Sequence, residues 1–411
     1  MRAFLSVSVL LVAVTSLVAA DNWPQFRGPN GDGLAISKTA PTKWSETDGI
    51  RWKTAIHDKG WSSPVIWGDQ IWLTTAKEDG KELFAVCLDR KSGSVVHDLK
   101  LFSPPKPPDI KQFNSHATPT PVLEEGRVYA HFGSYGTACL DSATGKVLWQ
   151  RTDFECDHFR GPASSPVVYK KWLFVQFDGF DKQFIACLDK DSGATVWQKA
   201  RDLPYPNNGD LKKAFATPAV LEVNGKPQLV SSAAIGTIAY DPATGDELWR
   251  IITGGMNEAC RPILAHGLIY LTTGHTQSIL AVKAGGTGDI TKDGVAWKFS
   301  KEAPTKPSPI VVDDLLFFIN DKGVAGCLDA KTGKLHWQER LNENCAASPV
   351  FAGGNIYFTG DKGKVFVVAA DKTFKLLETN TLDSGCMASP AIVGGELFLR
   401  TRTHLYCIGA K

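Results

Sequence analysis

Polar residues recur shortly before a series of proline-led segments, and their types would suit ligand binding. Six carry a charge, an imidazole or an amide: His116, Arg160, Glu258, Arg261, Lys306 and Asn344. Arg261 also stands directly before proline, where the other segments carry serine or threonine. Arg160 and Arg261 could together hold an anionic group by charge-assisted hydrogen bonds. The alternative, which we favour, is that they are solvated or paired with Glu258.

Nine cysteines offer a second kind of chemistry. Cys345 and Cys386 each lie four residues before a proline, in neighbouring segments. A disulfide between them is permitted in an oxidising compartment, and a thiolate metal site is the other alternative. Because the sequence has no Cys-x-x-Cys or His-x-x-x-His spacing, we favour two unpaired, partly buried thiols. We expect Cys156 and Cys260 to be free as well.

The signatures of several enzyme classes are missing from the sequence. There is no Gly-x-Ser-x-Gly nucleophile elbow and no glycine-rich phosphate loop that opens a helix. With 45 basic and 43 acidic residues, the net charge of +2 does not favour binding to nucleic acid. The sequence therefore predicts no catalytic residue, no metal site and no nucleic-acid partner.

The elements that position these residues come from an internal repeat. One unit runs from Cys139 through Leu140, Asp141 and Gly145 to Trp149, and three clean copies start at Cys187, Ala239 and Cys327. An apolar strand that ends at Asp, a Thr-Gly or Ser-Gly turn and a second strand make a β-hairpin. Three copies are weaker. One has His97 at the tryptophan position, and another has inserted residues before Trp297. The third has lost both the glycine and the tryptophan, with Leu377 at the tryptophan position. Five repeated cysteines are predicted to be small buried hydrophobic residues: Cys87, Cys139, Cys187, Cys327 and Cys407.

Each unit also has a second half, in which a proline leads into two further apolar strands. A group of four short strands recurs eight times along the chain. This recurrence predicts an all-β, eight-bladed β-propeller of four-stranded blades. The equivalent positions in the eight groups are Leu88, Leu140, Leu188, Tyr240, Val282, Leu328, Val368 and Ile408. The strand around Trp52 lacks a preceding partner and the strand that ends at Ile408 lacks a following one. We therefore predict that the N-terminal strand completes the C-terminal blade and closes the ring.

The first twenty residues predict export. Arg2 supplies a positive start, residues 3–14 are mostly apolar, and Val18-Ala19-Ala20 suits cleavage before Asp21. No cysteine follows at an acylation site, and no later segment approaches the roughly 20 apolar residues of a spanning helix. The expectation is a signal peptide at 1–20, an N-terminal surface segment at 21–47 and a single propeller at 48–411. The mature protein would be periplasmic or extracellular, without a membrane span.

The repeat resembles that of the pyrroloquinoline-quinone-like propeller family over about residues 50–409, through its Leu-Asp-x-x-Thr-Gly-x-x-x-Trp unit. The segment from Trp23 to Pro29 is similar to the start of exported bacterial members. The resemblance implies that each repeat tryptophan docks on the neighbouring blade. The tryptophans in question are Trp149, Trp197, Trp249, Trp297, Trp337 and, in looser form, Trp52. His97 and Leu377 depart from this pattern.

The resemblance implies two functional classes. Some members are alcohol or sugar dehydrogenases that hold a quinone (PQQ) and Ca²⁺ in the central funnel beside a carboxylate base. Others resemble the outer-membrane-assembly propeller, which binds proteins and holds no cofactor. The dehydrogenases place a disulfide of adjacent cysteines above the quinone, and this sequence has no adjacent cysteines.

Our first hypothesis is a non-enzymatic scaffold, expected to be monomeric and without a cofactor. It would bind an envelope protein or an extracytoplasmic ligand through its loop face. The alternatives are a PQQ- and Ca²⁺-dependent oxidoreductase acting on alcohols or sugars, and a carbohydrate or small-ligand binding module.

Overall fold

The computed structural model describes residues 21–107, 110 and 113–409. Those residues form eight sheets, which are the blades of a closed ring and are antiparallel except for one short parallel pair. The strands are β1 (Ile50–Ala55), β2 (Val65–Trp67), β3 (Gln70–Ala76), β4 (Leu83–Asp89), β5 (Val95–Phe102), β6 (Val122–Glu124), β7 (Arg127–His131), β8 (Thr137–Asp141), β9 (Val147–Arg151), β10 (Val167–Tyr169), β11 (Trp172–Asp178), β12 (Gln183–Asp189), β13 (Thr195–Ala200), β14 (Ala219–Val223), β15 (Lys226–Ser232), β16 (Gly236–Tyr240), β17 (Glu247–Ile252), β18 (Ile263–Ala265), β19 (Leu268–Thr272), β20 (Ile279–Lys283), β21 (Gly288–Asp289), β22 (Val295–Phe299), β23 (Ile310–Val312), β24 (Leu315–Ile319), β25 (Val324–Asp329), β26 (Leu335–Arg340), β27 (Val350–Ala352), β28 (Asn355–Thr359), β29 (Lys364–Ala369), β30 (Leu376–Thr381), β31 (Ala391–Val393), β32 (Glu396–Arg400) and β33 (His404–Ile408).

Blades 1 to 8 follow one another along the chain. Blade 1 is β2 to β5, blade 2 is β6 to β9, blade 3 is β10 to β13 and blade 4 is β14 to β17. Blade 5 is β18, β19, β20 and β22, blade 6 is β23 to β26, and blade 7 is β27 to β30. Blade 8 contains β31, β32, β33 and β1 in that spatial order. A short 3-10 turn at Gly209–Leu211 lies in the connection after blade 3. The predicted eight-bladed propeller is confirmed.

The third and fourth strands of every blade share one register. Cys139 lies opposite Trp149 and Cys327 opposite Trp337, and a one-residue bulge follows in each case. In blade 7 the same position is occupied by Glu378, which lies opposite Val367. The tryptophan position in this blade is therefore Glu378, and our assignment of it to Leu377 was wrong by one residue. The assignment failed because the turn of blade 7 has lost the glycine that marks the register.

The repeat tryptophans dock on the neighbouring blade as the family resemblance implied. Their indole Nε1 atoms donate to carbonyl oxygens in the next blade's turn: Trp52 to Arg90 (2.9 Å), Trp149 to Lys190 (3.0 Å), Trp197 to Pro242 (3.1 Å), Trp297 to Ala330 (3.0 Å) and Trp337 to Asp371 (3.0 Å). His97 keeps this contact, since its Nε2 lies 3.1 Å from the Ala143 oxygen. Six of the eight blades are thus tied to the next by a polar contact from this position.

Trp249 is the exception, because the next hairpin carries an insertion. Its Nε1 donates to Oε1 of Gln228 within its own blade at 2.8 Å. The insertion contributes β21, which pairs in parallel with β17 and makes blade 4 five-stranded. The inserted strand covers an outer edge that the other blades leave open.

The ring closes through the two ends of the chain. β1 pairs antiparallel with β33, with Trp52 opposite Cys407 and Lys53 opposite Tyr406. Arg400 on β32 reinforces the seam, since its Nη1 lies 2.7 Å from Ser62 Oγ and 2.8 Å from the Thr74 oxygen in blade 1. The predicted closure is confirmed.

The N-terminal segment that precedes β1 crosses one end of the ring. Trp23 exchanges two backbone hydrogen bonds with Ile66 of β2, at 2.9 and 2.8 Å, and its side chain is buried. Further along, Phe351 of β27 donates to the Gly33 oxygen at 2.9 Å. The segment therefore spans from blade 1 to blade 7.

Apolar side chains of adjacent sheets pack together to form the core between blades. All nine cysteines are free, and the five in the repeat are fully buried, as predicted. Among the described residues, no helix is long and apolar enough to cross a membrane.

Candidate functional site: the central channel and its mouth

The two ends of the channel differ in which loops surround them. We call the end with the connections from one blade to the next, together with the turns between second and third strands, the mouth face. The other end, with the Thr-Gly turns and the N-terminal segment, is the reverse face. Loops on a rigid scaffold carry most binding functions. For that reason the candidate residues were predicted to lie on the mouth face.

A ring of hydrogen bonds surrounds the channel where the inner strands begin. The residue before each proline donates its backbone N–H to the side-chain hydroxyl of the corresponding residue in the next blade. The bonds run from Ser63 to Thr120 (2.9 Å), Thr120 to Ser165 (3.0 Å), Ser165 to Thr217 (3.0 Å), Arg261 to Ser308 (3.0 Å), Ser308 to Ser348 (2.9 Å), Ser348 to Ser389 (2.8 Å) and Ser389 to Ser63 (3.1 Å). We call the seven serines and threonines the hydroxyl ring. It is interrupted once, because Arg261 offers Thr217 no hydroxyl.

A cavity of about 200 Å³ lies along the axis and is lined by six members of the hydroxyl ring. Phe26 of the N-terminal segment lines its reverse end, and Trp61 and Phe113 line its mouth end. The Trp61 indole donates to the Phe113 carbonyl oxygen at 3.1 Å, which fixes the loop across the opening. Each ring oxygen already accepts a backbone amide, so the hydroxyl proton remains available to a ligand in the cavity.

The charged side chains in the cavity wall are cationic. Arg160 and Lys306 both line it, and Lys306 also pairs with Asp321 at 2.9 Å. His275 lies beside them, 3.3 Å from Asn257 Nδ2. Burial, and then the positive charge of Arg160, lowers the pKa of His275. None of the described lining residues is Asp or Glu. The cavity is therefore suited to acceptor-rich or anionic groups.

The structure brings together only two of the sequence-predicted residues, Arg160 and Lys306. His116 is buried under Gly80, with its Nδ1 3.2 Å from the Tyr135 hydroxyl, and does not line the cavity. Asn344 is exposed beside the opening, where its carbonyl oxygen accepts the Asp361 amide at 2.8 Å.

Glu258 and Arg261 show an arrangement that neither sequence interpretation included. Arg261 is buried and donates to the Phe26 carbonyl oxygen (2.8 Å) and to Gln25 Oε1 (3.0 Å). The expectation that it is solvated or paired with Glu258 was therefore wrong. Glu258 is also buried, near the Thr272 hydroxyl at 3.5 Å, and burial raises its pKa well above its ordinary value. Both residues precede the inner strand β18, and the repeat pattern does not determine where either side chain is directed.

Cys345 and Cys386 are free and buried, whereas we expected them to be partly buried. Burial raises the pKa of both thiols, so both are protonated at neutral pH. A protonated thiol is a poor metal ligand. Among the described residues, no group of three or more His, Cys, Asp or Glu side chains is placed to hold a metal ion.

Several residues of the site escaped sequence reasoning. Phe26, Phe113 and Trp61 close the two ends of the cavity, and His275 belongs to its cationic wall. Phe26 lies in a recognisable N-terminal motif, but nothing in that motif shows where the segment crosses the ring. Phe113 lies in the connection between blades 1 and 2, and its residue type and spacing do not distinguish it from other loop residues.

The residues of the channel do not fit a quinone held with Ca²⁺. Calcium requires several converging oxygen ligands, carboxylates above all. The described lining offers amides, hydroxyls and cations, while Glu258 is directed into the protein and Asp321 is engaged by Lys306 and Thr305.

Residues 31–177 and 181–411 match a family model described as outer membrane protein assembly factor BamB. The chain belongs to this family. The resemblance to pyrroloquinoline-quinone-like repeat propellers is thereby confirmed.

Solved structures share the fold. BamB from Moraxella catarrhalis is 14% identical with a TM-score of 0.63, and the match covers 87% of this chain and 99% of that one. Quinohemoprotein alcohol dehydrogenase from Comamonas testosteroni is 12% identical with a TM-score of 0.68, covering 95% of this chain and 81% of that one. At such identities the likeness shows the fold and leaves the function open.

Two curated relatives match over shorter stretches. Tetrathionate hydrolase of Acidithiobacillus ferrooxidans is 24% identical over 258 residues, which is 58% of this chain and 48% of that protein. Quinoprotein alcohol dehydrogenase PedH of Pseudomonas putida is 29% identical over 196 residues, which is 45% of this chain and 29% of that protein. The chain thus matches about half or less of the length of these relatives.

Proposed function

We propose that this chain is a non-catalytic propeller that binds a protein partner on its mouth face. The observation that carries the proposal is the surface around the channel opening, where exposed aromatic rings stand among cationic side chains. Membership of the BamB family supports a binding scaffold.

Exposed phenylalanines occur on the mouth face. Phe113, Phe159 and Phe180 are 52%, 39% and 40% exposed. Phe159 and Phe180 pack together with ring centroids 5.7 Å apart, so they present one apolar patch. Within the part of the chain that the structure describes, the other exposed large hydrophobic residues are aliphatic, and all but Ile36 lie on outer strands. Exposed aromatic residues in a cluster are typical of protein interfaces.

Cations accompany these rings. Trp61 is flanked by Lys59 Nζ at 5.6 Å and by Arg402 Cζ at 5.3 Å from its ring centroid. Lys306 Nζ lies 6.0 Å from the centre of the Phe113 ring. Aromatic residues and arginine dominate the binding energy of most interfaces. We infer that the partner presents a segment with both acidic and apolar side chains.

The mouth face can be tested with matched variants. We expect Phe113→Ala with Phe180→Ala to weaken partner binding at least tenfold, since each removed ring is worth about 1–2 kcal/mol at an interface centre. The control is Val95→Ala with Val196→Ala, which removes apolar groups of similar exposure (49% and 47%) from outer strands. Partners are first isolated with wild type from envelope extracts, and affinities are then measured with the purified partner. Equal affinities for both double variants would contradict the proposal.

We also propose that the chain works outside the cytoplasm, because its first twenty residues have the pattern of a signal peptide. Cell fractionation and N-terminal sequencing test this, with Asp21 expected as the first residue of the exported form. A cytoplasmic protein that retains Met1 would contradict it.

The second candidate is a PQQ-dependent oxidoreductase, which the likeness to a quinoprotein alcohol dehydrogenase supports. The cavity wall argues against it, since no described lining residue is a carboxylate that could hold Ca²⁺ or act as the base. Reconstitution with quinone and Ca²⁺ is therefore expected to give no dye reduction with alcohols or sugars.

A further inference from the structure

The break in the hydroxyl ring leads to a second site at the opposite end of the channel. The backbone of Arg261 keeps its place in the ring, while its side chain is directed to the N-terminal segment. There the guanidinium lies against Gly31, where a Cβ would be only 2.3 Å from Arg261 Cζ. Arg27 of the same segment packs against Gly33 in a similar way. Two arginines from distant parts of the sequence are thus buried together.

These two guanidinium groups retain donors without acceptors. Arg27 Nε, Arg27 Nη1 and Arg261 Nε are buried and have no hydrogen-bond partner. Among the described residues, no carboxylate oxygen lies within ion-pair distance of either group. Burial lowers the pKa of both guanidinium groups, and the charge of Arg27 lowers that of Arg261 further. Asp32 offsets this only in part, and its carboxylate accepts the Leu34 amide.

The hydrogen bonds that the two groups do make go to neutral acceptors. Arg261 donates to Phe26 and Gln25. Arg27 Nη2 donates to the Asp32 carbonyl oxygen at 2.7 Å. A buried cation without a paired anion is costly, so the arrangement calls for a compensating anion.

A groove of about 390 Å³ on the reverse face reaches Arg261, and Arg27 is buried outside its lining. The N-terminal segment forms one wall, from Gln25 to Asp32, and inner strands β10, β14 and β18 form the other. Arg261 lines the groove although it is only 3% exposed. Two carboxylates in the lining, Glu222 and Asp32, oppose anions. Glu222 is exposed and therefore screened, and Asp32 Oδ1 accepts the Leu34 amide.

We propose that the reverse end of the channel binds a compact oxyanion, a carboxylate or phosphate group, at Arg261, with the positive charge of buried Arg27 close by. The ligand enters by the groove, accepts the free Nε–H of Arg261 and joins the N-terminal segment to blade 5. The site is distinct from the mouth face and does not depend on the function proposed there.

The test compares wild type with Arg261→Ser, which restores the residue type found in the other blades. Its hydroxyl can accept the Thr217 amide and complete the ring, so we expect the variant to fold. Isothermal titrations use sodium acetate and sodium phosphate as separate arms at constant ionic strength. Wild type is expected to bind one of them saturably, and Arg261→Ser at least tenfold more weakly, since hydrogen bonds from a charged group are lost. The better-bound probe distinguishes a carboxylate source from a phosphate source.

The matched control is Arg400→Lys, which alters another fully buried arginine, at the seam between blades 8 and 1. Its anion affinity should equal that of wild type. A second measurement needs no variant: the bound anion should slow hydrogen exchange of the amides in residues 25–33 and leave those around Ser62 and Thr74 unchanged. Absence of saturable binding in wild type, equal affinity in Arg261→Ser, or unchanged exchange at 25–33 would overturn the proposal.

Discussion

The two ends of the channel are built from the same repeat but are finished differently. At the reverse face, Trp23 and Arg27 are fully buried and the repeat glycines fit against the tryptophans of the preceding blade. At the mouth face, Phe113 and Phe180 stand exposed on connections of unequal length. The repeat fixes the backbone at both ends, and the difference arises from chain segments outside it. Binding of a protein partner is therefore expected where the segments vary and remain exposed, and the largest contribution to stability where they are buried.

The sharpest way to break this comparison is to remove one large aromatic side chain from each end. Trp23→Ala is expected to lower the free energy of unfolding by about 3–5 kcal/mol, because it leaves a large cavity under the N-terminal segment. Phe113→Ala should change it by less than about 0.5 kcal/mol, since the ring is mostly in solvent. Chemical denaturation of both variants measures the difference. Similar losses of stability in the two variants would show that the aromatic side chain of Phe113 also stabilises the fold.

A buried ion pair supports the mouth-side end of blade 3. Arg201 contacts Asp178 twice, at 2.6 and 2.9 Å, with both side chains buried. Asp178→Ala should cost about 3–5 kcal/mol, because it strands a buried cation. The control is Asp153→Ala, whose partner Arg151 lies at the surface and whose loss should cost about 1 kcal/mol or less. Equal costs would mean that the connections of the mouth face do not depend on this pair.

The contact between turn glycine and tryptophan can be isolated with two alanine variants. Gly193 has φ +73° and a Cβ there would be 2.7 Å from the Trp149 ring, whereas Gly126 has φ +75° with nothing within 4 Å. Both substitutions incur the strain of a positive φ, about 1–2 kcal/mol. Gly193→Ala should cost a further 1–3 kcal/mol or so from the clash. Thermal unfolding of the two variants compares them, and equal midpoints would deny the docking a role in stability.

Glu258 predicts a dependence of stability on pH. Burial raises its pKa in the folded protein well above the value in the unfolded chain. Between these two pKa values the folded state binds one more proton than the unfolded state. The stabilising contribution of protonated Glu258 is therefore fully present below the unfolded-state pKa and is lost as pH rises through the folded-state pKa. The slope is at most about 1.4 kcal/mol per pH unit. Denaturation from pH 5 to 9 should show a flatter profile for Glu258→Gln, and parallel profiles would contradict this account.

The fold could be predicted because it depends on short local patterns that recur. Aspartate, glycine and tryptophan at fixed offsets determine a turn and a register, so the blades and their closure followed from the sequence. His97 shows the tolerance of this rule, since an imidazole makes the contact of an indole. Glu378 shows its limit, because without the turn glycine the register was placed one residue early.

The site was less predictable because its side chains meet across the ring. Arg261 was correctly singled out as a break in the repeat, but its partners lie more than two hundred residues away, at Gln25 and Phe26. Phe113 and Lys306 come from connections on opposite sides of the channel. No local spacing of residues encodes such contacts. The type of each residue showed only which contacts its side chain can make.

The central claim is that the mouth face binds the protein partner, whereas the segments buried at the reverse face stabilise the fold. Hydrogen exchange of the wild-type protein, alone and saturated with its purified partner, tests this most directly. We predict slower exchange in the connections at 113–117, 152–166 and 201–217 on binding. Slower exchange confined to the N-terminal segment, the Thr-Gly turns or the outer strands would contradict the claim.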